Sequence, residues 1–200
     1  MDDILTVSKL DKSFGDKKIL DQVDLHVGRR EIVGIIGRNG AGKTVLFKCI
    51  CNLILPDSGS ISCMAEKIGA IIEEPGFLPQ YSGLHNLRYL AMLSGMRNVD
   101  FESLLTIVGL SDAGNKKVGK YSLGMKQRLG IAQAIMEKPD FLILDEPMNG
   151  LDNRGVEEIR QLLLNLQKKG VSILMASHNR EDIEQLCCRT YQMDGGRIVR

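Results

Sequence analysis

The stretch Gly37-Arg38-Asn39-Gly40-Ala41-Gly42-Lys43-Thr44 constrains this chain more than any other. It has the form G-x-x-x-x-G-K-T, the pattern of a loop that cradles phosphates in backbone amides. Before it lies Glu31-Ile32-Val33-Gly34-Ile35-Ile36, a short apolar run typical of a buried parallel strand. After it, Val45-Leu46-Phe47-Lys48-Cys49-Ile50 is apolar at helical spacing. The glycines let the backbone curl until its N–H groups point inward as an anion nest, and the following helix aims its positive end at the same point. In such a loop Lys43 reaches the β- and γ-phosphates of a nucleotide and the Thr44 hydroxyl coordinates Mg²⁺. A glycine-rich turn that merely joins strand to helix is the competing reading. The intact motif with both flanks weighs against it.

Two hundred residues suffice for one domain, or for one domain with a subdomain. The 26 basic residues nearly balance 25 acidic ones, which argues against bulk electrostatic binding to nucleic acid or anionic lipid. No apolar run approaches the roughly 20 residues that span a bilayer. The start, Met1-Asp2-Asp3-Ile4, is acidic, unlike a signal peptide. The expectation is a cytoplasmic protein whose membrane role, if any, runs through a partner. Cys49, Cys51, Cys63, Cys187 and Cys188 do not match zinc-ligand spacings and are expected as reduced thiols packed like small hydrophobes.

Residues 4–10 and 19–27 read as strands around the turn Phe14-Gly15-Asp16, an antiparallel β element ahead of the phosphate loop. Phe14, among charged residues, could stack on a nucleotide base or simply pack. Pro56-Asp57-Ser58-Gly59 reads as a turn. Residues 67–72 read as a second buried strand that ends in Glu73-Glu74-Pro75-Gly76; these carboxylates fit either a ligand-facing sheet edge or a solvated turn. Helices are expected over 84–95, over 101–110, and after Tyr121-Ser122-Leu123-Gly124 up to Pro139, with no strand between 75 and 137. Asp140 to Pro147 is an apolar strand closed by Asp145 and Glu146. Beside a phosphate loop, Asp145 fits the Mg²⁺ holder, and Glu146 can polarise or deprotonate a water attacking the γ-phosphate. An amphipathic helix over 153–169, a buried strand over 171–176 ending in Ser177-His178, a short helix over 180–186 and a hairpin over 191–199 complete the chain. His178 lies at the sheet edge that should carry the phosphates.

In this order the pieces resemble the nucleotide-binding subunit of an ABC transporter, over essentially the whole chain. Gly37 to Thr44 is similar to the family's Walker A and Phe141 to Glu146 to its Walker B, with Glu146 at the catalytic glutamate. Ser122 to Arg128 resembles the signature L-S-G-G-Q-x-Q-R, Asn149 to Asp152 the D-loop, His178 the switch histidine and Phe14 the base-stacking aromatic. Two departures stand out. Leu123 replaces the first signature glycine and Met125 the glutamine, which affects the loop's flexibility while Ser122 and Gly124 are kept. Glu73 stands where the family has the Q-loop glutamine. Both departures resemble the bacitracin and lantibiotic-immunity branch of exporters.

The resemblance implies an α/β fold: a P-loop NTPase core of mainly parallel sheet with an N-terminal antiparallel β element and an inserted α-helical subdomain. Residues 1–74 and 138–200 would form the core and residues 75–137 the helical subdomain. It implies an ATPase that uses ATP and Mg²⁺, with Glu146, His178 and Lys43 catalytic and Phe14 and Gly37 to Thr44 (Arg38, Asn39, Gly40, Ala41 and Gly42 between) on the nucleotide. Thr44, Asp145 and Glu73 would surround the metal. Ser122, Gly124 and Asp152 would complete the site of a second copy across a two-fold homodimer. The insert around Phe77 to Tyr89 would dock on a membrane permease at the inner face of the cell membrane, with no nucleic acid involved. A C-terminal extension present in some relatives is expected to be missing after the last hairpin. A soluble ATPase acting on ribosomes or DNA is the alternative, disfavoured by the balanced charge and by the lack of a long heptad run or metal-binding cysteine cluster between Thr44 and Ser122. A non-catalytic nucleotide-gated module is disfavoured by intact Lys43, Asp145 and Glu146.

Overall fold

A computed structural model describes residues 3–73 and 75–199 of the chain. It begins with two twelve-residue strands, β1 (Asp3–Phe14) and β2 (Lys17–Gly28). Next come β3 (Ile32–Ile36), α1 (Lys43–Ile50), β4 (Ser58–Cys63) and β5 (Ile68–Ile71). Three helices follow, α2 (Gly83–Leu93), α3 (Phe101–Ile107) and α4 (Leu123–Ile135). The remainder is β6 (Phe141–Asp145), α5 (Asn153–Lys168), β7 (Ser172–Ser177), α6 (Arg180–Leu186), β8 (Arg189–Asp194) and β9 (Arg197–Ile198). Among the described residues between 75 and 137 the regular elements are helices and short 3₁₀ turns.

The strands form two sheets. One is antiparallel, in the order β2-β1-β4. The other runs β5-β6-β7-β3-β8-β9 and is parallel except for the terminal β8–β9 hairpin. Lys9 and Gln22 have positive φ, 47° and 49°, at bulges in the β1–β2 ladder. Each displaced amide finds a carboxylate across the pair: Lys9 N donates to Asp24 and Gln22 N to Asp11, both at 2.9 Å. Such bulges sharpen strand twist.

Strand β4 corrects the sequence reading, which placed only a turn around Ser58-Gly59. Its residues are mostly small, polar and exposed, and its alternation is confined to Ile61 and Cys63, too short to mark a strand. Pairing with β1 alone makes it a strand. Gly59 fits against the β1 bulge at φ 89°, where a Cβ would lie 2.3 Å from the Lys9 carbonyl oxygen.

Each central strand divides its side chains between two cores. Ile32, Leu142, Leu144, Ile173 and Met175 face the core shared with α4 and α5. Val33, Ile35, Phe141, Ile143, Leu174 and Ala176 face the core shared with the antiparallel sheet and α1. Burial on both faces is why these strands read as unbroken apolar runs. Each of these side chains except that of Ala176 contributes about 1.5–3 kcal/mol on leaving water.

The parallel register aligns the strand ends. Ile36 pairs with Ser177, and Asp145 with Ala176. Gly37, Glu146 and His178 are therefore the first residues beyond three adjacent strands, on the edge where open α/β sheets place ligands.

Candidate active site

The phosphate loop is fixed from three sides. Gly37 N donates to the Ser177 carbonyl at 3.3 Å. A Cβ at Gly37 would stand 2.6 Å from the Met193 carbonyl oxygen. Gly42 has φ 110°, and a Cβ there would stand 2.9 Å from the Ile19 carbonyl oxygen at the start of β2. Only glycine meets both the conformation and the space. Arg38, Asn39 and Gly40 remain exposed at the loop's crest, while Ala41 and Gly42 are buried.

Lys43 is 5% exposed, so its charge needs partners. Its ammonium donates to the Gly37 carbonyl at 2.6 Å and the Arg38 carbonyl at 3.3 Å, and lies 3.2 Å from Glu146 Oε1. Thr44, the next residue, donates its hydroxyl to Asp145 Oδ2 at 2.6 Å. Asp145 Oδ1 is buried with no hydrogen-bond partner. Burial pushes the Asp145 carboxyl above the ordinary aspartate range, against the pull of the Thr44 hydrogen bond.

Glu146 has φ 51°, an unusual value for a non-glycine residue, and its amide donates to the Ala176 carbonyl at 3.0 Å. Its Oε2 accepts from His178 N at 3.2 Å and lies 2.8 Å from His178 Nδ1. A carboxylate oxygen only accepts, so Nδ1 carries the hydrogen of this contact and Nε2 is the nitrogen left over. Glu146 thus bridges the buried ammonium of Lys43 and the ring of His178.

Glu73, at φ 64°, lines a cleft of about 500 Å³ together with Asp145 and Glu146. Its carboxylate pairs with Lys48 at 2.8 Å, a partner that the sequence reading did not identify. The spacing was available: Lys48 lies one helical turn beyond Thr44. Phe14 ends β1 with its ring 50% exposed and the Lys12 ammonium 5.4 Å from its centroid, so it is not a core residue. Ser122, Gly124 and Asp152 share a separate groove of about 430 Å³. Ser122 caps α4 by accepting from Met125 N at 3.2 Å, and Asp152 caps α5 by accepting from Gly155 N at 2.8 Å. All five cysteines are free thiols.

The donor set around Asp145 suits a hard cation. It offers the Thr44 hydroxyl oxygen and the Asp145 carboxylate, one of whose oxygens is buried without a hydrogen-bond partner. Among the described residues no group of three or more His, Cys, Asp or Glu side chains could hold a metal unaided. That sparseness fits Mg²⁺, which is commonly bound by one or two protein ligands plus phosphate oxygens and water. No helix among the described residues is long and apolar enough to cross a membrane.

Similarity to known proteins identifies the family. The family model for ABC transporters matches residues 20–149. The bacitracin transport ATP-binding protein BcrA of Enterococcus faecalis is 40% identical over 212 aligned residues, covering all of this chain and 69% of that protein. The lantibiotic transport ATP-binding protein SrtF of Streptococcus pyogenes is 36% identical, covering 92% of this chain and 83% of that one. A solved ATP-binding subunit of an ABC transporter superposes with TM-score 0.85 at 28% identity, over 98% of this chain and 88% of that one. Phosphate loop, acidic strand end and histidine stand together on a sheet edge of the same architecture, and the chain belongs to the ABC transporter family as an ATP-binding domain that hydrolyses ATP.

Proposed function

We propose that the chain energises a separate membrane permease exporting an antimicrobial peptide or drug, working as a homodimer at the inner face of the cell membrane. The observation that carries the mechanism is the chain of contacts Lys43, Glu146, His178 beside the Thr44–Asp145 pair. The export assignment draws on the likeness to the bacitracin and lantibiotic transport proteins. No observation favours a ribosome- or DNA-acting ATPase.

In this reading the amides of Gly37 to Thr44 and the Lys43 ammonium hold the β- and γ-phosphates, and Phe14 stacks on the base. Thr44 and Asp145, with Glu73 nearby, would hold Mg²⁺, which when bound supplies charge neutralisation on the phosphates. Glu146 accepts the proton of the attacking water, whose oxygen bonds the γ-phosphorus as the bond to ADP breaks. His178 keeps the Glu146 carboxylate aimed by the contact to Oε2 and offers its other nitrogen to the γ-phosphate. Ser122, Gly124 and Asp152 would reach the nucleotide of the second copy, so ATP closes the dimer and hydrolysis opens it. Residues 75–137 would form the helical subdomain that meets the permease, with residues 1–74 and 138–200 as the core.

Glu146→Gln tests the assignment. The variant should bind Mg²⁺–ATP with near-normal affinity and form an ATP-dependent dimer by light scattering, while phosphate release falls about 10²- to 10⁴-fold. Turnover near that of the wild type would remove Glu146 from the role of base.

A further inference from the structure

Lys48 and Glu73 form an ion pair at the joint between the phosphate-loop helix and the helical insert. The ammonium of Lys48, on the same face of α1 as Thr44, stands 2.8 Å from Glu73 Oε1. Glu73 follows directly on β5 and its neighbour Ile72, at the mouth of the cleft that also holds Asp145 and Glu146. The chain on either side of Glu73 packs on α4: a Cβ at Gly130 would meet Pro75 Cγ at 2.8 Å and Ile71 Cδ1 at 3.3 Å. Glu73 thus lies between two residues that pack on α4, the helix capped by Ser122.

Glu73, Asp145 and Glu146 line one cleft, and on the proposed function a triphosphate binds beside it, which presents an electrostatic problem. Lys43 is already engaged with the loop carbonyls and Glu146. Lys126 also lines the cleft, but the cation paired with Glu73 is Lys48, at 2.8 Å. We infer that Lys48 is a positioning residue that neutralises Glu73 and holds it at the cleft's mouth, making an acid workable at this position of the nucleotide site. The inference rests on the proposed placement of Glu73 at that site. The pair is open to water, with side-chain exposures of 27% for Lys48 and 64% for Glu73, so it is weak enough to part and re-form as the insert moves.

A double-mutant cycle on the full chain tests this, read as the affinity for Mg²⁺ with a non-hydrolysable ATP analogue by calorimetry. Lys48→Met should weaken binding about two- to five-fold at low salt, the range of an exposed ion pair. The loss should largely vanish near 1 M salt, where screening reaches about 3 Å. Lys48→Arg should retain wild-type affinity, and Lys48→Met in a Glu73→Gln background should change little. An equal loss in both backgrounds, or a loss that salt does not touch, overturns the inference. If Lys48→Met does not fold, the same cycle run with Lys48→Gln decides it. The reading of Glu73 is checked separately by Mn²⁺ affinity in Glu73→Gln alone: an unchanged value removes Glu73 from the metal's surroundings, while the cycle still decides Lys48.

Discussion

Replacing Asp145 with asparagine should stabilise the nucleotide-free protein and nearly abolish its activity. Burial, opposed by the Thr44 hydrogen bond and the Lys43 charge, leaves the carboxyl with a raised pKa. A carboxyl whose pKa rises on folding contributes to stability while protonated, below its unfolded value, and loses that contribution as the pH climbs through the folded value. At neutral pH the native state thus carries a buried charge at a net cost. One oxygen, Oδ1, has no partner at all. An orphaned buried group costs about 1–3 kcal/mol. Asparagine keeps the shape, and its carbonyl oxygen can still accept from Thr44, but it carries no charge. Its amide nitrogen inherits the unpartnered position, so only part of the penalty is recovered: about 1 kcal/mol, or about 2–4 °C in Tm for a chain of this size. Thermal unfolding in EDTA at pH 8 measures the gain, which should shrink as the pH falls and the wild-type carboxyl takes up its proton. Phosphate release should drop about 10²- to 10³-fold, the usual scale for losing one preorganised electrostatic contact in a transition state. Mg²⁺–ATP at 100 times its Kd should stabilise the wild type by about 2.7 kcal/mol and the variant far less. If the variant is less stable than the wild type in EDTA across the pH range, the account of Asp145 as a charge buried for function is wrong.

Two further substitutions separate packing from ligand contact. Gly69→Ala puts a Cβ 2.1 Å from the Ala134 carbonyl oxygen of α4, a collision between backbones, and urea unfolding should show a loss of about 1–3 kcal/mol. Phe14→Ala removes a ring that is 50% exposed, so stability should stay within about 0.5 kcal/mol while ATP affinity falls by the ~1–3 kcal/mol of a base stack. Unchanged affinity by calorimetry would take Phe14 off the nucleotide.

The features legible in the sequence are those dictated by local chemistry. The G-x-x-x-x-G-K-T loop, the two-sided apolar strands and the α5 stripe of Ile159, Leu162, Leu163 and Leu166 each follow from a short-range pattern that burial then obeys. Strand β4 was illegible because its only claim to extended structure is the free edge of β1. The bulges at Lys9 and Gln22 were equally silent, since each depends on a carboxylate across the strand pair. At the site, the sequence supplied Lys43, Asp145, Glu146 and His178 but not the Lys43–Glu146 and Thr44–Asp145 contacts. It marked Glu73 as a departure without revealing Lys48, because the neutralising charge comes from another element, 25 residues away along the chain.

The signature departures have a local logic. Leu123 is the first residue of α4, directly after the Ser122 cap, and no positive φ there calls for glycine. Leucine favours a helix start by about 0.5–1 kcal/mol over glycine. Ser122 uses its oxygen to accept from Met125 N, and its hydroxyl hydrogen is still available for a phosphate oxygen. The Leu123 side chain reaches the segment after Glu146: a Cβ at Gly150, itself at φ 71°, would lie 2.8 Å from Leu123 Cδ2. Leucine at 123 and glycine at 150 are therefore complementary, and they bring the α4 cap against the loop that leads to Asp152. Leucine in place of the first signature glycine therefore adds a contact between the α4 cap and the 149–152 segment within a single subunit. In the proposed dimer, where both elements would meet the nucleotide of a second copy, they would then move as one body, the condition under which an isologous interface can close on both sites together.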